Sequence, residues 1–336
     1  MTFVAPEKTL LLEADGLSVD YQLRGVPSRA IENVSFTLRV GEAIALVGES
    51  GCGKTTTAMA IAGLLSPSAR VCRGEIRYRG KRLPIDDDPA MRPHRWNETA
   101  VVFQGAMNAL NPVHRIIKQI AEPCMLKLGL SRGEATARAR ELLELVGIPA
   151  DRGVAYPHQL SGGMRQRVMV AMALACHPSI VIGDEPTTAL DVITQAQILK
   201  LLGELRAKLN LALILITHDL SVVAESCDRV MIMYAGRIVE DDAVAEIFAK
   251  PKHPYTQLLI ESIPDPANGK RMIRPIPGDP PNLMNRPSGC AFHPRCPSAM
   301  AICETEVPSL NEFGQGRVAC HLHRPLKQQD KVHAHG

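Results

Sequence analysis

The octet Gly48-Glu49-Ser50-Gly51-Cys52-Gly53-Lys54-Thr55 fits the pattern G-x-x-x-x-G-K-[ST], and its residue types suit it to cradling the phosphates of a nucleotide. Glycines let the backbone curl so that successive N–H groups face phosphate oxygens. Lys54 would place its charge on the β/γ-phosphates, and the Thr55 hydroxyl is a ligand for Mg²⁺. The positive end of the helix that follows adds to the same site. A glycine turn before a helix can also be purely structural. An apolar strand just before the loop and a helix just after it are the context that phosphate binding requires. Cys52 carries no assigned chemistry.

A second chemical cluster is Ile180-Val181-Ile182-Gly183-Asp184-Glu185, an apolar strand that ends in two carboxylates. Asp184 is suited to holding Mg²⁺ through water, and Glu185 to orienting or deprotonating an attacking water. In isolation such a strand end is as readily a solvated turn; beside a phosphate loop the catalytic role is favoured. His218 ends the next apolar run, in Ile216-Thr217-His218-Asp219. A lone histidine there is usually structural, but the carboxyl edge of a parallel sheet is where α/β proteins place ligands. It is a candidate to contact the γ-phosphate or hold the water.

These residues need elements to position them. Residues 17–21 and 34–40 alternate apolar and polar types, with a break at 25–28, and predict strands. Residues 43–47, 180–183 and 211–217 are short apolar runs, the pattern of buried strands. Residues 55–64 and 194–209 predict helices. A strand, a glycine loop and a helix in sequence point to an α/β fold with a mostly parallel sheet. Residues 105–160 predict a helical insertion, with a helix at 138–146 and Pro149 after it. Residues 228–240 predict a hairpin turning at Ala235-Gly236. From Pro251 prolines crowd in and long regular helix is excluded. The expected division is a cassette over 1–250 and a loop-rich extension over 251–336.

The chain has 336 residues, 46% apolar and 22% charged, ordinary globular composition with ample material for a core. A net charge of +3 is too near balance to argue for nucleic acid. The longest apolar runs, 168–176 and 211–216, fall well short of the about 20 residues a spanning helix needs. The start MTFVAPEK lacks a signal-peptide layout, so a cytoplasmic location is expected. Work at a membrane would need another polypeptide to cross it.

Leu160-Ser161-Gly162-Gly163-Met164-Arg165-Gln166-Arg167 places a serine and two glycines before a helix, a second anion-binding helix start. This octet resembles the signature of the ABC ATPases. With the phosphate loop, the double-carboxylate strand and His218 in the same order, it identifies a member of that family. The resemblance implies a P-loop NTPase (RecA-like) ABC cassette with a helical subdomain, at about 105–165, and an ATPase activity. It further implies that Gln104, in Val101-Val102-Phe103-Gln104, couples Mg²⁺ and water to the helical insertion. Asp191, in Ala189-Leu190-Asp191, would lie in a loop crossing a dimer interface. Tyr21 lies in the right region to stack on adenine, although an aromatic there can be simple packing. Nucleotide contacts are implied for Gly48, Ser50, Gly51, Gly53, Lys54, Thr55, Thr56 and Asp184, and for Ser161, Gly162, Gly163 and Gln166 toward a partner's ATP. Mg²⁺ ligation falls to Thr55, Gln104 and Asp184.

Several strings look closer to the dipeptide/oligopeptide importer group, which includes nickel and glutathione importers. They are Asp184-Glu185-Pro186-Thr187-Thr188-Ala189-Leu190-Asp191, Tyr156-Pro157-His158-Gln159-Leu160-Ser161-Gly162-Gly163-Met164 and His253-Pro254-Tyr255-Thr256, together with residues 286–320. The group resemblance implies two membrane permeases, a second similar ATPase, an extracytoplasmic solute-binding protein, and residence at the cytoplasmic face of the membrane. Gly105 after Gln104 departs from the acidic residue common in the family, and Gly183 from a common alanine.

Nine cysteines are present, and four of them, Cys290, Cys296, Cys303 and Cys320, cluster late as C-x₅-C-x₆-C-x₁₆-C. In a reducing compartment such a cluster favours a metal or cofactor over disulfides. The C-x₂₋₄-C pairs of zinc ribbons are missing. Four thiolates suffice for an iron–sulfur cluster, and the family resemblance implies a [4Fe–4S] cluster in related subunits. Zn²⁺, with His293, His321 and His323 nearby, and plain buried cysteines remain open.

Three rival functions fit the sequence less well. Soluble ABC ATPases of DNA repair or translation resemble two cassettes in one chain or carry long coiled-coil insertions; one cassette with a short insertion is present here. Exporter cassettes are often fused to membrane spans. A regulatory module without turnover is disfavoured because Glu185 and His218 are both present.

Overall fold

The computed structural model describes residues 9–23, 25–103, 109–188, 190–262, 276–283 and 286–323. Gln104 and Gly105, Ala189, and the polar tail after Lys327 lie outside the described residues.

β1 (Leu10–Leu23) and β2 (Val26–Arg39) form a long antiparallel hairpin. The alternation at 17–21 and 34–40 is the middle of these strands, and the expected break contracts to the turn at Gly25 (φ 80°). β3 (Ala43–Val47) is buried at every position. α1 (Lys54–Ala62) follows it and ends at Gly63 in a left-handed conformation. β4 (Ala69–Tyr78) and β5 (Lys81–Arg82) complete a four-stranded antiparallel sheet in the order β2-β1-β4-β5.

After α2 (Asp88–Met91) and β6 (Thr99–Val102) comes the helical part: α3 (Ile116–Leu128), α4 (Arg132–Leu145) and α5 (Gly162–Ala173). α4 starts where its residues dictate. The Ser131 hydroxyl accepts from the Glu134 N–H at 3.3 Å, and the Glu134 carboxylate accepts from the Ser131 N–H at 2.9 Å, a capping box. Ile120, Leu142, Leu143 and Val168 close the helical part into one core cluster.

The chain then runs through β7 (Ile180–Asp184), α6 (Val192–Leu209), β8 (Ala212–Thr217), α7 (Leu220–Ser226), β9 (Arg229–Tyr234) and β10 (Arg237–Ala243). The β9–β10 hairpin turns at Ala235 and Gly236, both at positive φ, as the sequence predicts. α8 (Val244–Ala249), α9 (Pro254–Glu261), α10 (Ala301–Thr305), β11 (Asn311–Phe313) and β12 (Gly316–Val318) complete the described elements.

The second sheet has eight strands in the order β11-β12-β10-β9-β3-β8-β7-β6. Its β9-β3-β8-β7-β6 stretch is parallel throughout. Covered on both faces, these strands are continuous apolar runs. Along β3, Ile44 and Leu46 enter a core shared with α1 and the antiparallel sheet, while Ala45 and Val47 enter one shared with α7 and α8. β3 pairs with β8 through Val47 and Thr217, and β8 with β7 through Ile216 and Asp184. The phosphate loop, His218 and the two carboxylates therefore emerge side by side at one carboxyl edge.

The proline-rich C-terminal region packs on the cassette. β12 joins the large sheet by pairing Val318 with Glu240 and Arg317 with Asp241. Asp241, 3% exposed, accepts from the guanidinium groups of Arg229 and Arg317. Arg286 donates to the Glu32 carboxylate at 2.9 Å and so straps the region to β2.

Candidate active site

The loop from Gly48 to Gly53 is shaped for close approach. A Cβ on Gly48 would lie 2.2 Å from the Met233 carbonyl oxygen, and one on Gly53 (φ 106°) would lie 2.6 Å from the Ile31 methyl, so neither position admits a side chain. Gly53 caps α1 with no side-chain hydrogen bond, leaving the first-turn N–H groups of a nine-residue helix without a side-chain acceptor. That is the arrangement a phosphate oxygen satisfies. Lys54 is buried, and its ammonium donates to the carbonyls of Gly48 (2.7 Å) and Glu49 (3.0 Å).

Beside the loop lies a cavity of about 960 Å³. Tyr21, Ser50, Gly51, Gly53, Lys54, Thr55, Thr56, Glu185 and His218 all line it. The Thr55 hydroxyl donates to Asp184 Oδ1 at 3.1 Å. A hydroxyl and a carboxylate at that separation are the oxygen donors a hard cation such as Mg²⁺ takes, and Mg²⁺ needs few protein ligands. Burial pushes the Asp184 carboxyl up from its ordinary value, against the hydrogen bond from Thr55. A cation on Asp184 would offset that cost. The Tyr21 hydroxyl is 3.4 Å from that of Thr56, which puts the ring at the cavity wall.

Glu185 follows β7 in a left-handed conformation (φ 45°), uncommon for a residue with a side chain. This turn directs its carboxylate along the sheet edge. Oε1 lies 3.2 Å from His218 Nδ1, and Oε2 accepts from the Thr188 hydroxyl at 2.9 Å. Partial burial alone would raise its pKa, but the bonds from His218 and Thr188 outweigh it and hold the carboxyl below its ordinary value. An ionised carboxylate oriented at both oxygens can accept a proton from water or align it.

The signature lies elsewhere. Ser161 caps α5 by accepting from the Met164 N–H at 3.3 Å, and a Cβ on Gly163 would meet Thr194 of α6 at 2.6 Å. Asp191 caps α6, accepting from the Thr194 N–H at 2.9 Å. Gln166 is buried, and its Nε2 has no hydrogen-bond partner. Ser161, Gly162, Gly163, Gln166 and Asp191 do not line the cavity beside Lys54. Next to Asp191, Val192 and Ile193 are 82% and 72% exposed.

Sequence reasoning missed Ser28, Ala30, Asn282 and Leu283, which also line the cavity. Asn282 and Leu283 come from the proline-rich region, and no local pattern there points to a nucleotide.

Cys290, Cys296, Cys303 and Cys320 are all free thiols, and the first three lie near enough to Cys320 to act on its charge. The Cys290 N–H donates to the Cys303 carbonyl at 2.8 Å. Burial first, and then the other cysteines, push the Cys320 thiol up to about 11. Among the described residues, however, no group of three or more His, Cys, Asp or Glu side chains is arranged to hold a metal ion. The expected closed ligand set is therefore not formed by the thiols as they stand. No helix among the described residues is long and apolar enough to cross a membrane.

Comparison with known proteins agrees with this geometry. Residues 31–188 match the family model described as ABC transporter, and residues 239–303 match the one described as oligopeptide/dipeptide transporter, C-terminal region. The chain is 44% identical over 314 residues to the dipeptide transport ATP-binding protein DppD of Escherichia coli (strain K12), covering 93% of this chain and 96% of that protein. It is 44% identical over 315 residues to the oligopeptide transport ATP-binding protein OppD of Salmonella typhimurium, covering 93% of each. Among solved structures, a dimeric ATP-binding cassette in a post-hydrolysis state bound to ADP and Pi superimposes with a TM-score of 0.62 at 27% identity, covering 70% of this chain and 99% of that one.

Proposed function

The chain belongs to the ABC transporter family as an ATP-binding, ATP-hydrolysing subunit, and from that premise we propose that it energises uptake of di- or oligopeptides through partner permeases. The observation that carries the proposal is the convergence of Lys54, Thr55, Glu185 and His218 on one cavity of about 960 Å³.

Lys54 neutralises the β/γ-phosphates, and the loop N–H groups with the α1 N-terminus bind their oxygens. Thr55, Asp184 and Gln104 would hold Mg²⁺, which supplies charge neutralisation on the transferred phosphoryl group when bound. Glu185 aligns the attacking water and accepts its proton. His218 and Thr188 keep the carboxylate ionised and aimed. Tyr21 packs against the base. Ser161, Gly162, Gly163 and Gln166 serve the ATP of a partner cassette, a role supported by their distance from this chain's own cavity and by the exposed Val192 and Ile193 next to Asp191.

The partners are two permeases, a second related ATPase and a solute-binding protein, with this chain peripheral at the cytoplasmic face. Exposed Val113 (72%) and Val154 (60%) on the helical part support permease docking there. They lie near the point where the Ile116 N–H meets the Ala155 carbonyl. Cys290, Cys296, Cys303 and Cys320 would hold a [4Fe–4S] cluster, with Zn²⁺ as the alternative, only once their thiols turn into the common ligand set that they do not form as they stand. Anaerobically purified protein lacking iron, sulfide and visible absorption would remove the cluster. Nickel or glutathione replaces peptide as cargo if uptake of those solutes, and not of peptides, depends on the chain. The functional test is uptake of labelled dipeptide by cells carrying the chain or its Glu185→Gln variant. Uptake in the first and none in the second is expected; equal uptake in both would sink the proposal.

A further inference from the structure

Glu49 stands at an x position of the G-x-x-x-x-G-K-[ST] pattern, yet all of its polar groups are engaged. Its N–H donates to the Tyr255 hydroxyl at 3.0 Å, and its carbonyl accepts from the Lys54 ammonium at 3.0 Å. Its carboxylate is gripped in two parallel bonds by Arg295, Nη1 to Oε2 at 2.7 Å and Nη2 to Oε1 at 3.0 Å. The Arg295 side chain is 7% exposed, although 246 residues separate the two partners. Two further donors are also placed: Nη1 reaches the Tyr234 hydroxyl at 3.2 Å, and Nε the Pro277 carbonyl at 2.7 Å. Beside the pair, Tyr234, Tyr255 and Phe292 pack in tilted and edge-to-face contacts, with centroids 4.7, 5.1 and 5.4 Å apart.

The connectivity matters more than the pair itself. Arg295 sits one residue before Cys296, on the segment that starts at Cys290. A planar fork clamping a carboxylate bidentately fixes orientation as well as distance. Fixing Glu49 fixes the carbonyl that holds Lys54, the residue that must meet the phosphates. We propose that Arg295 is a positioning residue for ATP: through Glu49 it sets the phosphate loop and Lys54, so that order in the cysteine segment is felt as nucleotide affinity. The proposal rests on the nucleotide site described above.

The test is binding of a non-hydrolysable ATP analogue with Mg²⁺ to the full chain, alongside thermal unfolding and ATPase kinetics. Arg295→Ala is expected to weaken binding about tenfold, as a displaced loop does, and to raise KM for ATP more than it lowers kcat. Arg295→Lys should recover part of the loss. Glu49→Gln should weaken binding comparably, and the double variant should be no worse than the poorer single one. A plain structural staple would lower the unfolding midpoint and leave affinity within twofold, which would overturn the proposal; so would fully additive losses. If Arg295→Ala fails to fold, Arg295→Lys and Glu49→Gln decide by the same criteria. Lys54→Ala separates the two levels: unchanged analogue binding there overturns the nucleotide site itself, and the clamp with it.

Discussion

His218 Nδ1 stands 3.2 Å from Glu185 Oε1, beside the phosphate loop at the carboxyl edge of the parallel strands. The pair orients a carboxylate whose backbone already sits in a left-handed conformation. Glu185→Gln keeps the shape but removes the base. ATP binding should stay within a few-fold of wild type, and turnover should fall by about 10²–10⁴-fold. Single-turnover hydrolysis near the wild-type rate would show that Glu185 is not the base.

Lys54→Ala removes the only charge that the phosphate loop itself turns toward the cavity. Charge-assisted hydrogen bonds of this kind contribute about 2–3 kcal/mol, on the order of 100-fold in Kd. Equilibrium binding of fluorescent ATP checks this. A Kd unchanged within threefold contradicts it.

Asp241 holds two guanidinium groups, from Arg229 and Arg317, while being 3% exposed. Asp241→Asn leaves both with a weaker acceptor, and Arg229 then depends on Glu42 at 3.0 Å. A loss of about 3 kcal/mol in urea unfolding is expected. A loss below about 1 kcal/mol would mean that solvent compensates the arginines.

His253 is fully buried, and its Nδ1 accepts from the Tyr255 N–H at 3.0 Å to cap α9. Burial, aided by the charge of His323, pushes its pKa down from the ordinary 6.5 to about 3. The unfolded chain therefore takes up a proton below pH 6.5 that the folded one refuses until about pH 3. Stability from this group is present above pH 6.5 and is lost between those limits, by up to about 1.4 kcal/mol per pH unit. His253→Asn keeps an acceptor for the cap without titrating. Between pH 7 and pH 5 the wild type should lose about 2 kcal/mol more than this variant. Parallel curves would refute the assignment.

The ATP site was legible because its chemistry demands particular residue types at fixed spacing, and Ala43–Val47, Ile180–Asp184 and Ala212–Thr217 because doubly covered strands are continuous apolar runs. β4 was not legible: among arginines and a glutamate only Ile76 is buried, so no alternation survives. β12 is three residues long, too short for any period. The placing of Asn282 and Leu283 on the cavity wall, and of Arg295 against Glu49, comes from tertiary packing of a proline-rich segment, which local pattern does not encode. The cysteine spacing matches no general cluster pattern, and the four thiols, all free, do not close into a ligand set among the described residues.

The central claim, that this ATPase works on a membrane transporter, is tested most directly by tagged purification of the chain from gently solubilised membranes of its own cells, with partners identified by mass spectrometry. Recovery of two multi-spanning permeases, with a second related ATPase, is the predicted result. Recovery of soluble partners alone, with no membrane protein, would contradict it and turn the assignment to a cassette that works away from the membrane.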